Sequence, residues 1–239
     1  HRVLLIEESN ALGGTSTSGG VWEWFASQEG LGDLFDHLKR ELIRYGSFRG
    51  RHFNGEHLKL IWQLAAEQAG VQVLLHASLV GAETSDARVT HATVASNSHL
   101  LQASAPLFID CTGEGDLAAL AGAAFAQGDP ETGRTLHMTL TFTLCDTGAV
   151  VTPYLPDGLA AIGSEAELPG LLALAPLVDG RLYCNMTKIM GRDPTDPLDL
   201  SASELQARRQ VAQVVHFLQR TRYPTFTLAS TGSHIGVRE

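Results

Sequence analysis

Apolar residues fall along this chain in three patterns, and each predicts a different element. Continuous aliphatic runs at residues 3–6, 71–75 and 106–110 have the pattern of strands buried on both faces in a parallel sheet. Helical spacing puts Leu31, Leu34, Phe35, Leu38, Leu42 and Tyr45 on one stripe that stops at Gly46. A second stripe, over residues 55–68, carries Leu58, Ile61, Trp62 and Ala65 and stops at Gly70. Short alternating stretches over residues 79–103 break at Ser85-Asp86-Ala87 and Ser96-Asn97-Ser98, which predicts a three-stranded antiparallel meander. An Ala/Leu-rich helix is expected over residues 117–125.

The pattern changes beyond Gly128-Asp129-Pro130, a turn-rich link. Over residues 135–144, Leu136, Met138, Leu140, Phe142 and Leu144 alternate with Thr135, His137, Thr139, Thr141 and Thr143. That is a strand of an antiparallel sheet with one buried face. Residues 152–176 are rich in Pro and Gly and predict only short helices. Residues 182–190 and 226–229 read as further strands. Between them Ser201 and Glu204 form a capping box for a long helix through Leu205, Ala212, Val215 and Leu218.

The predicted fold is α/β. A partial dinucleotide-binding domain of Rossmann type spans residues 1–128, with a helical insertion at about 22–54. A substrate-type domain built on an antiparallel sheet and a long helix spans residues 129–239.

Composition narrows the function. The net charge of -9 argues against a nucleic-acid or anionic-membrane partner, and no apolar run is long enough to span a bilayer. Cys111, Cys145 and Cys184 are odd in number and widely spaced, which points to a reducing, cytoplasmic setting. No histidine or cysteine spacing suits a metal, and no G-x-S-x-G elbow is present. The basic stretch Arg44, Arg49, Arg51 and His52 reads either as a solvated loop or as an anion-facing rim.

The chemistry concentrates at two loops. Glu7 stands at the carboxyl end of the run at residues 3–6, where a dinucleotide-binding unit places an acid on a ribose. A Ser/Thr segment from Gly13 to Gly20 follows, and its glycines let backbone N–H groups approach a phosphate or a flat ring. The loop Cys111-Thr112-Gly113-Glu114-Gly115-Asp116 occupies the matching position after residues 106–110.

The stretches 3–8, 12–21, 53–59, 70–76, 109–118 and 235–239 together resemble the FAD-dependent oxidoreductase family of the glutathione-reductase-like flavoprotein superfamily. The resemblance implies FAD as cofactor and hydride transfer between flavin and a small organic substrate. It implies that Glu7 binds the ribose, that Gly13 and Gly14 pass the cofactor, and that Thr15 and Ser16 lie near its flavin end. Val80 would offer backbone contacts to adenine, with Thr112, Gly113 and Asp116 along the cofactor. Arg238, in the Gly-Val-Arg-Glu motif, and His137 are the catalytic candidates; the base itself is unassigned. Cys111 stands where the family has alanine.

Against the family pattern, the G-x-G-x-x-G turn with its strand and helix is missing ahead of residues 3–6, and so is a segment after Gly-Val-Arg-Glu. The expectation is a chain truncated at both ends, and a non-catalytic fragment that does not retain cofactor is the alternative reading. A small-molecule substrate is expected, and a homo-oligomer is left open. The family's strand order also places a central strand between residues 3–6 and 107–110.

Overall fold

The computed structural model describes residues 2–238. In chain order its strands and helices are β1 (Leu4–Ile6), α1 (Asp33–Arg44), β2 (Phe48–Arg49), β3 (His52–Phe53), α2 (Gly55–Gln68), β4 (Gln72–Leu74), β5 (Ser78–Ser85), β6 (Arg88–Ser96), β7 (His99–Ser104), α3 (Asp116–Leu120), β8 (Phe142–Asp146), β9 (Leu174–Pro176), β10 (Leu182–Cys184), α4 (Pro197–Thr221) and β11 (Phe226–Thr231). The fold is α/β. It divides into two compact units, His1–Gly14 with Trp62–Ala126, and Thr15–Ile61 with Gln127–Glu239.

The first unit contains one parallel pair and one meander. β1 and β4 pair in register from Leu4↔Gln72 to Ile6↔Leu74, and Glu7 N–H extends the ladder to Leu74 O at 2.9 Å. β5, β6 and β7 form the antiparallel meander expected from the alternation. Its turns hold Asp86, Ala87 and Asn97 at positive φ, the conformation that closes tight hairpins.

Residues 106–110 are not a strand. Leu107 and Ile109 are 73% and 75% exposed, and β1 pairs only with β4. An aliphatic run becomes a strand only where a neighbour accepts its ladder, and among the described residues none pairs with this segment. The helix expected over residues 117–125 is likewise shorter, ending at Leu120.

The second unit is built on the antiparallel sheet β11-β8-β10-β9. Met138, Leu140, Phe142 and Leu144, with Leu182, Cys184 and Met186, pack on Ala207, Val211, Val214 and Leu218 of α4. This stripe follows helical spacing, but it is rotated from the expected one: Leu205 is 58% exposed. α4 also begins earlier than the capping box suggested. Asp196 accepts from Leu198 N and Asp199 N at 2.9 and 2.8 Å, and Pro197 takes the first turn. Asp followed by Pro is the stronger start signal, since the carboxylate satisfies free N–H groups and proline has none to lose.

The threonine face of residues 139–143 is buried, not solvated. Thr139, Thr141 and Thr143 are each 5% exposed or less. Thr141 Oγ1 donates to Gly20 O at 2.8 Å, Gly232 N–H donates to Thr141 O, and Ser230 shares a hydroxyl contact with Thr143. Residues 15–61 therefore pack with 127–239, although the sequence grouped 15–21 and 55–61 with the nucleotide-type domain. The approach is close at Gly20 (φ 74°), where a Cβ would sit 2.9 Å from Gly232 Cα. β9, within a stretch expected to hold only short helices, adds an edge strand to β10.

Residues 22–54 have their own small core, with Trp24 packed on Phe35 and Phe53 at centroid distances of 4.6 and 4.5 Å. The Trp22 indole lies against the first residue of α2, so a Cβ on Gly55 would meet Trp22 Nε1 at 2.0 Å. Gly55→Ala is expected to lower stability by about 1–3 kcal/mol through overpacking. Urea unfolding of the two proteins checks it, and equal midpoints would show that the indole moves aside freely.

Candidate functional site

The sequence-predicted residues fall into two sets, one in each unit. In the first unit, the Glu7 carboxylate accepts from Ser9 N at 2.8 Å and also from the Ser9 hydroxyl. Ala77 N–H donates to Glu7 O, so the acid end of β1 meets the start of β5. Val80, 50% exposed, lies on β5, and α3 packs on the same strand. Glu7 and α3 thus meet β5, the strand that carries Val80, from different parts of the sequence.

The loop of residues 110–116 is held by one carboxylate. Asp110 accepts from Thr112 N, Thr112 Oγ1 and Ala118 N at 3.0, 2.8 and 2.9 Å. Burial opposes its charge, but these donors outweigh that and hold the carboxyl below its ordinary range. Thr112 Oγ1 in turn accepts from Asp116 N at 2.8 Å. Gly113 and Gly115 take positive φ, and nothing lies within 4 Å of where a Cβ on either would sit. Gly14 is equally open. Open glycine turns beside an acid at a parallel strand's carboxyl end fit a dinucleotide cofactor.

In the second unit, Thr15 and Ser16 belong to a short 3-10 turn, Gly14–Ser16. The catalytic candidates His137 and Arg238 fall together: Thr139 N and Gly236 O pair at 3.2 Å, with Gly236 N returning to Thr139 O at 2.8 Å. Continued antiparallel, that register sets His137 level with Arg238. Arg238 Nη2 donates to Thr139 Oγ1 at 3.1 Å. Burial, then Arg238, then Lys188 hold the His137 imidazole below its usual range, so it is neutral at pH 7.

A second group escaped sequence reasoning. Tyr183 is 2% exposed and its hydroxyl has no partner among the described residues. Burial, reinforced by Glu23, pushes its phenol far up and keeps it protonated. Glu23 takes Arg51 Nε at 2.6 Å and lies 3.8 Å from His52 Nε2. Arg51 also stands over Phe25, and Arg44 pairs with Glu41. Arg44, Arg51 and His52 therefore have partners within the fold, against the reading of this stretch as an anion-facing rim. Glu23 and His52 meet at an isolated antiparallel bridge, and no local spacing in the sequence signalled it.

Among the described residues no helix is long and apolar enough to cross a membrane, and no cluster of three or more His, Cys, Asp or Glu could hold a metal ion.

The open glycine turns, the acid at the strand end and the adjoining meander belong to the first unit of an α/β protein. The chain belongs to the FAD dependent oxidoreductase family, whose model matches residues 1–239, and the cofactor of that family is FAD. Among solved structures it is similar to the myxobacterial chondrochloren halogenase CndH, a variant of FAD-dependent halogenases, with TM-score 0.54 and 12% identity over 100% of this chain and 58% of that one. It is also similar to BexE, studied for oxidation during BE-7585A biosynthesis, with TM-score 0.50 and 17% identity over 99% of this chain and 47% of that one. AlpK gives TM-score 0.50 and 16% identity over 99% and 48%. At such identities the likeness is one of fold, and the chain spans about half the length of these structures. Among curated proteins none matches it.

Burial pushes the Cys184 thiol up to about 12, whereas Cys111 is exposed and Cys145 half-buried. Alkylation followed by mass spectrometry is expected to label Cys111 first, Cys145 more slowly and Cys184 only on unfolding. Early labelling of Cys184 would contradict its place in the core.

His52 and His137 both have folded pKa values below the ordinary value of about 6.5. For His52 burial dominates, Glu23 opposes and Arg51 assists. The unfolded chain then binds more protons, so this stability is present above about pH 6.5 and is lost as pH falls through the lower folded values. Unfolding curves from pH 7.5 to 5 are expected to show that decline, and a shallower one in His52→Gln. An identical slope in the variant would refute the assignment.

Proposed function

We propose that the chain carries the working parts of an FAD-dependent oxidoreductase that transfers a hydride between a small organic substrate and flavin. Unit 1 is the Rossmann-like part, with a functional division near residue 128. Residues 129–239 carry the substrate, and the inserted segment at about 22–54 supports them. What carries this reading is that Glu7 bonds Ala77 at the entry to β5, while α3, which follows the open Thr112–Gly113 turn, packs on the same strand.

When bound, FAD supplies the redox chemistry, and the protein supplies position and electrostatics. Glu7 accepts hydrogen bonds from ribose hydroxyls. Gly13 and Gly14 let the main chain pass close to the cofactor, followed by Thr15 and Ser16. Val80 offers main-chain contacts to the adenine, and Thr112, Gly113 and Asp116 line its path. In the second unit Arg238 fixes charge and the neutral His137 can take a proton.

A non-catalytic chain that does not retain cofactor is the second reading. The 73–75% exposure of Leu107 and Ile109 favours it, because these side chains leave one side of the first unit apolar and wet.

Absorbance of the purified protein separates the two, with FAD added where none is retained. A flavin band that co-elutes with the chain is expected, and Glu7→Gln should weaken FAD binding about tenfold, the worth of a hydrogen bond to a charged group. No binding at saturating FAD would sink the first reading. Unchanged affinity in the variant would remove Glu7 from the site.

A further inference from the structure

We propose that Lys188, Arg238 and His137, at one end of the threonine face, form a binding site for the carboxylate of a small organic acid. The proposal rests on the reading of residues 129–239 as the substrate-bearing part, and names its substrate class.

Three strand segments bring the groups together. Met138 and Ile189 exchange both backbone bonds, at 3.0 and 2.9 Å, which sets Thr139 level with Lys188 on the neighbouring segment. Thr139 and Gly236 exchange theirs on the other side, which sets His137 level with Arg238. Residues 137 and 139 share one face of their segment, since side chains alternate. Met138, Ile189 and Val237 point to the core instead. Gly236, opposite Thr139, has no side chain, and Arg238 Nη2 reaches Thr139 Oγ1 at 3.1 Å. That bond holds one edge of the guanidinium, and its remaining N–H groups have no partner among the described residues and can form a fork.

The charges acting on His137 are both cationic, whereas Glu23 acts with Arg238 on the Tyr183 phenol. The chain has a net charge of -9, yet neither Lys188 nor Arg238 forms an ion pair among the described residues. Lys188 and His137 are half-buried, so their desolvation is uncompensated within the fold. Both cations also act on the His137 ring, and Arg238 acts on the buried, unpartnered Tyr183 phenol. A ligand carrying one negative charge would offset all of this. A planar carboxylate matches the arginine fork, with lysine as a second point of charge. Phosphates are more often cradled by successive backbone N–H groups of glycine turns, and the donors here are side chains on a sheet.

The test follows the His137 imidazole by NMR while succinate is added at constant ionic strength, with succinamide as neutral control and inorganic phosphate as a third arm. Succinate is expected to raise the His137 pKa, because a bound anion favours the imidazolium, and succinamide to leave it unmoved. Lys188→Gln and Arg238→Gln should each weaken succinate binding about tenfold. Lys188 makes no side-chain bond to the fold among the described residues, so its variant keeps the test open if Arg238→Gln fails to fold. No shift with succinate, wild-type affinity in Lys188→Gln, or a shift with phosphate alone would overturn the proposal. Flavin absorbance of the same sample is independent: loss of FAD binding with the succinate shift intact would sink the flavin reading and spare this one.

Discussion

Burial of both faces of residues 138–144 is the constraint on which the second unit depends. Leu140, Phe142 and Leu144 give one face to α4, and Thr139, Thr141 and Thr143 give the other to loops. A hydroxyl buried without a partner costs about 1–3 kcal/mol, so each threonine demands an acceptor or donor at a fixed place. Gly20 O and Ser230 Oγ meet two of these demands, and Arg238 meets the third from outside the strand. Gly20 is therefore placed by hydrogen-bond demand on the sheet, while Trp22 and Trp24 further along the segment are placed by apolar packing. The segment's glycines follow from the same demand, because the loop must come within backbone distance of Gly232.

That constraint explains which parts of the fold were legible in the sequence. Periodicity found α1, α2, the meander and the core face of β8, although of the α1 stripe Leu31, Leu34 and Tyr45 stay exposed. Alternation of leucine and threonine marks one face as apolar, but it is silent on whether the polar face meets solvent or a partner loop. The pairing of residues 15–61 with 127–239 lies in hydrogen bonds between residues more than a hundred positions apart, such as Thr141 with Gly20. The start of α4 was missed for a local reason, since Asp196-Pro197 and the box at Ser201 are both valid start signals. Inside the helix Ser201 and Ser203 turn back on the carbonyls of Pro197 and Asp199.

The strand expected at residues 106–110 shows a different limit. Composition reports that a run would be stable if buried; it does not supply the neighbour. β1 and β4 settle each other's ladder, whereas Leu107 and Ile109 remain in water. The loop beyond them keeps its shape regardless, because Asp110 organises it through its own carboxylate rather than through the sheet. A turn held by one side chain can stay ordered where its strand is not, so the position of Thr112 and Gly113 does not depend on residues 106–109.

The candidate site in the second unit extends that reasoning from loops to charge. His137 and Arg238 were singled out separately, one for its place on the threonine face and one for its motif. They become neighbours because two isolated bridges, at Met138 and Thr139, draw three segments into one sheet end. Lys188 joins them from the segment beyond β10, next to the bridge at Ile189. None of these residues contributes to the apolar core, and the core side of every segment is already filled by Met138, Ile189 and Val237. Stability alone therefore does not account for two cations and an imidazole at this edge. An ionic partner supplied from outside the fold does, and the neutral state of His137 leaves that partner a group able to accept a proton beside it.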